Sequence, residues 1–255
     1  MRHLYAVEGE AQLRAYQASV SLLQPRLEEY LHFLRTRYEV RSLPRAIVWT
    51  SAEAATSLLG SIPVPAYTND YRVVLTADLS AWRDIYLRQL EGLPDAPETR
   101  EIRAYYETAL NENHLLAILG HELAHHSELF LDGFDSGREA GVWFEEGMVE
   151  YIARRYFLTP REFAAESHVN RLLVNLHSPR LGIRSLEEFG TSTYDGSYAA
   201  IFFEYWRSFL AVESLTARFG GVEAVFASYR RWHEEGERQP LAQWFSLEPP
   251  LKEPT

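Results

Sequence analysis

The sequence predicts an α+β fold that is mostly α. Apolar residues recur at steps of three and four through most of the chain, the period of a helix. Only two runs, 45–50 and 71–76, are short and rich in β-branched residues, as strands are. Proline and glycine fall between these segments, at Pro63, Pro65, Pro94, Pro97 and Gly220-Gly221, and punctuate them. With 255 residues, 46% of them hydrophobic, the chain can bury a sizeable core.

Residues 9–39 carry an apolar stripe of Leu22, Leu23, Leu27, Tyr30, Leu31, Phe33 and Leu34. Pro25 lies inside it, which predicts a kink or two helices. After the strand at 45–50, Ser51 reads as the N-cap of a short helix. Gly60, Pro63 and Pro65 end that helix and mark a loop. The second strand, 71–76, precedes helical pattern over 78–118, with a loop at Pro94 and Pro97. A helix through 113–126 is expected to reach about Leu131, followed by a loop over 132–137. The next helix is 142–152. Thr159-Pro160-Arg161-Glu162 is a capping box with proline at the first helical position, opening a helix to about Leu176. Residues 192–198 lead into a long helix closed near Phe219 by Gly220-Gly221. A last helix spans 222–233, and the tail from Gln239 reads as an irregular arm packed by Trp244 and Phe245. The organisation expected is a helical segment at 1–44, a core at 45–158 and a helical lobe at 159–255. A small sheet from 45–76 should pack on helix 113–126, with a cleft between sheet and lobe.

Net charge is −11, which argues against nucleic-acid or anionic-membrane partners, because phosphates attract basic faces. No apolar run approaches the roughly 20 residues that span a bilayer. Residues 1–10 lack the apolar core of a signal peptide, so a soluble, cytoplasmic chain is expected. There is no cysteine, so any zinc must be held by histidine and carboxylate.

The chemistry concentrates in His121-Glu122-Leu123-Ala124-His125. Residues four apart on a helix share a face, so His121 and His125 can aim two imidazoles at one ion. Glu122 lies roughly 100° further round the helix, beside the ion, where a general base for an activated water belongs. Glu146 and Glu150, also four apart, sit in an apolar helical segment where unpaired carboxylates would be costly. A metal ion and a ligand imidazole would supply their partners; a solvated acidic face of Glu145, Glu146 and Glu150 is the alternative. Two histidines and one glutamate leave a fourth position open for water, as catalytic zinc sites do.

An H-E-x-x-H followed by a helix reading W-x-x-E-G-x-x-E-Y resembles the gluzincins, the zinc metallopeptidases that include thermolysin and the zinc aminopeptidases. The resemblance covers residues 45 to about 220 in the order of elements and implies a zincin-like core binding one Zn2+ per chain. By that resemblance His121, His125 and Glu146 are the metal ligands and Glu122 is the general base. Glu150 is implied as the acid that orients a ligand histidine. Twenty residues separate His125 from Glu146, one or two more than usual, which makes Glu145 a rival ligand. Glu146 is preferred because it precedes Gly147 and stands four before Glu150. Tyr194-Asp195-Gly196-Ser197-Tyr198-Ala199-Ala200-Ile201-Phe202 resembles the segment that carries an oxyanion-stabilising tyrosine in the aminopeptidases. It implies Tyr194 in that role, with Tyr198 the alternative. The strand 71–76 is expected to be the edge along which an extended peptide substrate could lie. The exopeptidase G-x-M-E-N-like strand is absent. The resemblance therefore implies a compact peptidase acting on peptide or protein substrates. The competing readings are a binding protein that keeps the fold without turnover, and a helical scaffold with a coincidental pentapeptide.

Overall fold

The computed structural model describes residues 1–59, 64–131 and 141–248. Its framework is one mixed sheet beside a larger helical body, the mostly α form of α+β that the sequence predicts. The sheet has the order β1 (Arg2–Ala6), β2 (Ala46–Thr50), β4 (Arg72–Leu75), β3 (Ala66–Thr68). β1, β2 and β4 are parallel; β3 is antiparallel to β4. Ile47, Trp49, Val73 and Leu75 share one face and are fully buried, and Val74 on the other face is fully buried too, as expected of strands covered on both sides.

Two features of this sheet depart from expectation. β1 comes from the start of the segment 1–44 expected to be helical, ahead of the helical pattern at 9–39, and β3 from the stretch around Pro65 expected to be loop. The strand at 71–76 is therefore internal, and β3 takes the edge. Neither extra strand has a local signature: β1 alternates exposed and half-buried residues, and β3 is three residues long. Both are fixed by long-range pairing to β2 and β4.

Helix α1 (Gly9–Arg37) runs unbroken through Pro25. A proline in a helix interior costs about 3 kcal/mol. Here it stands on the exposed face, where the carbonyl it leaves unpaired can meet water. The opposite face buries Tyr16, Val20, Leu23, Leu27, Tyr30 and Leu34, each worth about 1.5–3 kcal/mol when fully covered. Burial outweighs the proline, so no second helix forms.

Ser51 caps α2 (Ala52–Ala54), accepting from the Ala54 N–H at 3.1 Å, and a π turn (Ala55–Leu59) follows. After β4 come α3 (Leu79–Arg88), α4 (Pro97–Thr108) and α5 (Glu112–Ala124). Helices α6 (Val142–Phe157), α7 (Pro160–Leu181), α8 (Tyr198–Phe219) and α9 (Val222–Glu234) build the rest. The expected capping box at Thr159 and Glu162 forms. Helix α7 continues five residues past Leu176 through Pro179, and the tail holds a short α10 (Leu241–Trp244). Phe245 is buried against Phe144, ring centroids 5.7 Å apart. Among the described residues no helix is long and apolar enough to cross a membrane.

Helix α6 is packed between α5 and α8, with a glycine at the close point of each contact. At Gly120 of α5, an added Cβ would stand 2.7 Å from Phe157 and 3.2 Å from Ala153 Cβ. The Tyr30 hydroxyl donates to the Gly120 carbonyl at 3.0 Å and ties α1 to the same point. At Gly147 of α6, a Cβ would stand 2.3 Å from the Ser208 carbonyl oxygen of α8 and 2.8 Å from Val212 Cγ2. Alanine in a helix is ordinarily better than glycine by about 0.5–1 kcal/mol. At this position the clash is with backbone, which cannot rotate away, so overpacking of about 3 kcal/mol decides the sign. Gly147→Ala is expected to destabilise the chain by that order, read as a lower urea midpoint at unchanged m-value. A stabilised variant would show that α6 and α8 do not approach so closely.

Candidate metal centre

Helix α5 starts at an Asn111 cap, whose side chain accepts from the Asn113 N–H at 2.8 Å. The sequence predicts a helix to about Leu131; the structure ends it at Ala124, with His125 as its C-cap. His121 thus lies in the last turn and His125 at the end, both turned inward toward α6. The chain then turns through His126 and Ser127. His126 Nε2 lies 2.9 Å from Thr68 Oγ1, which ties the turn to edge strand β3. Burial, then the charge of His125, pushes His126 down to about 4, so it sits there neutral.

Three ligand atoms converge. His121 Nε2 and His125 Nε2 are 3.2 Å apart, and Glu146 Oε2 lies 3.3 Å from the first and 3.6 Å from the second. His121, His125 and Glu146 are 8–9% exposed, which excludes a solvated acidic face for Glu146. The other nitrogen of each imidazole faces a second carboxylate. His125 Nδ1 is 2.9 Å from Glu145 Oε1, and His121 Nδ1 is 3.4 Å from Glu150 Oε1. Glu145, the rival ligand, therefore sits behind His125, and Glu146 faces the shared centre.

The electrostatics follow from this crowding. Burial pushes both imidazoles down, but the surrounding carboxylates outweigh it and raise both, His121 to about 9. Glu146 is driven up by burial and, more strongly, down by His125 and His121, ending at about 2. Two Nε2 atoms this close leave room for one proton between them, so the pair shares its charge. Glu150 is held below the usual carboxylate range: burial raises it and the Arg154 guanidinium more than reverses that.

Whether a cation fits can be judged from the donors. Glu146 Oε2, which points into the triangle, is buried with no hydrogen-bond partner. Such orphans are rare, because a buried polar atom without a partner is costly. Ligand atoms about 2.0–2.1 Å from a tetrahedral ion stand about 3.3 Å from one another. The three separations of 3.2, 3.3 and 3.6 Å match that triangle. His121, His125 and Glu146 could hold a metal ion.

Glu122 is 7% exposed and makes no hydrogen bond or ion pair among the described residues. Burial raises its carboxyl, partly offset by the two imidazoles. Tyr194 is on the 3₁₀ turn Thr191–Asp195 before α8, and its hydroxyl is 2.8 Å from that of Tyr205. The alternative Tyr198 stacks on Phe202, centroids 6.3 Å apart. Tyr205, not expected from the sequence, lies with its ring 6.0 Å from that of His121. Burial, and then the negative charge of Glu146, pushes Tyr194 and Tyr205 well above the usual tyrosine value, so both keep their protons. The spacing Tyr198, Phe202, Tyr205 is a helical stripe leading from the predicted segment to Tyr205, and was a usable signal. The loop expected at 132–137 lies outside the described residues.

Compared with family models, with curated proteins and with solved structures, the chain matches none.

Proposed function

We propose that this chain is a zinc-dependent peptidase. The observation that carries the reading is the triangle of His121 Nε2, His125 Nε2 and Glu146 Oε2, with the Glu122 carboxyl in electrostatic reach of all three and without a hydrogen bond or ion pair among the described residues. Zinc in a three-ligand site supplies a Lewis acid and an acidified water. The chain's own residues supply the rest. Glu122 is the base: it takes the proton of the attacking water and returns it to the leaving amine. Tyr194, protonated and braced by Tyr205, donates to the oxyanion that forms at the peptide carbonyl. Glu150 and Glu145 hold the two imidazoles from behind and fix their tautomers. An extended peptide or protein segment lies along β3, whose outer edge is joined to the centre through Thr68 and His126.

The test is direct. Purified protein equilibrated with zinc and desalted should carry about one zinc per chain. It should cleave members of a broad peptide library, lose that activity to a chelator and regain it with zinc. Absence of bound metal would overturn the site. Bound zinc with no cleavage of any peptide would overturn the peptidase reading and leave a metal-holding binding protein.

A further inference from the structure

Behind His121, and beyond Glu150, a polar network continues that the peptidase chemistry does not use. Arg154 Nε is 2.7 Å from Glu150 Oε2, whose other oxygen faces His121 Nδ1. Arg154 Nη1 is 3.6 Å from Glu166 Oε2. The Glu166 carboxylate accepts from the Tyr105 hydroxyl at 2.8 Å and from Asn170 Nδ2 at 3.2 Å. The Tyr105 oxygen is 3.1 Å from His114 Nε2, and His114 Nδ1 receives the Asn111 backbone N–H at 3.3 Å. Asn111 and His114 form the capping box of α5, the helix that carries His121 two turns further on. The network thus leaves the motif helix at its last turn and rejoins it at its first, by way of α6, α7 and α4.

Arg154 is enclosed: its side chain is 14% exposed and its guanidinium lies 4.4 Å over the Phe209 ring. A guanidinium that deep is costly to bury unless its geometry is put to use, and ion pairs of this kind often add little to stability. Its Nε meets Glu150 closely while Nη1 faces Glu166 without a hydrogen bond, so the planar fork fixes the angle at which Glu150 is held, which a lysine cannot do. Glu150 has its partners, Arg154 and His121, on opposite sides, so the direction of its free oxygen is set by how Arg154 holds the other.

We infer that Arg154 is a positioning residue for the metal centre: it orients Glu150 on His121 Nδ1 and thereby aims His121 Nε2. The inference rests on the metal-site reading above. It assigns the conspicuous Glu150–Arg154 pair to ligand alignment in place of helix stabilisation.

The experiment measures zinc affinity by competition with a chromogenic chelator and the visible spectrum of the cobalt-substituted protein, for wild type, Arg154→Met, Glu150→Gln and the double variant. Circular dichroism checks that each is folded. Loss of a group that orients a ligand histidine typically weakens metal binding about 10–100-fold. That loss is expected in Arg154→Met, together with an altered cobalt spectrum. In the Glu150→Gln background the same substitution should add little, because the group it acts through is already gone. A folded Arg154→Met with wild-type affinity and spectrum would overturn the inference. So would a loss that multiplies in full with that of Glu150→Gln. If Arg154→Met does not fold, Arg154→Lys decides: it keeps the charge without the fork, so weaker zinc binding supports the inference and wild-type affinity overturns it. Failure of the wild type to bind zinc is a separate result, which would remove the metal-site reading itself.

Discussion

Glu122→Gln is expected to lower peptide hydrolysis by about 10²–10⁴-fold, the usual worth of a positioned acid–base group, while zinc content stays at the wild-type level. The amide has the shape of the carboxyl but cannot take a proton from water. The substitution is structurally mild, since Glu122 makes no hydrogen bond or ion pair among the described residues that the change could break. It also replaces a buried carboxyl, raised by burial, with a neutral group, so thermal stability should hold or rise. The measurement is kcat on a cleaved library peptide beside metal analysis of the same sample. Full activity in the variant would show that Glu122 is not the base. Loss of zinc would place Glu122 among the ligands and undo the assignment of Glu146.

What makes this prediction possible is a part of the centre that local spacing encodes. His121 and His125 meet because they are four apart on a helix, and Glu146 and Glu150 face His121 for the same reason. Gly147 after Glu146 has a packing cause: it is where α8 touches α6. The parts that escaped the sequence depend on pairings between distant segments. β1 is a strand because Arg2–Ala6 aligns with Ala46–Thr50 across all of α1. β3 is a strand because three residues return along β4. The end of α5 at Ala124 could not be read either, since His125, His126 and Ser127 continue a helical-looking pattern. Tertiary bonds draw the chain away there: Ser127 Oγ donates to the Tyr38 carbonyl, and His126 meets Thr68. Glu145 looked like a ligand by spacing alone; only the rotation of α6 against α5 shows that it backs His125. Tyr205 came near the centre by the same rotation of α8.

That arrangement leaves a metal-free centre poorly satisfied, and the second large effect follows from it. Saturating zinc is expected to stabilise the wild type strongly. Ligand bound only to the folded state adds about 4 kcal/mol at a thousandfold excess over Kd, which for a chain of this size raises Tm by roughly 10 °C. The sign of the pH dependence comes from the imidazoles. His121 is raised from 6.5 to about 9 in the metal-free chain. A raised histidine contributes stability that is fully present below 6.5 and is lost as pH rises through about 9. The metal-free chain should therefore weaken across that window. Zinc competes with the shared proton for the same Nε2 atoms, so its hold tightens as the proton leaves. The Tm gap between zinc-loaded and metal-free protein should widen from pH 6.5 toward 9. Glu146→Gln, which removes the charge facing both imidazoles, should lose most of the gap at every pH. Scanning calorimetry at matched zinc excess checks both statements. A gap of equal size in Glu146→Gln would mean that zinc binds elsewhere on the chain, for the triangle without its carboxylate holds only two neutral donors.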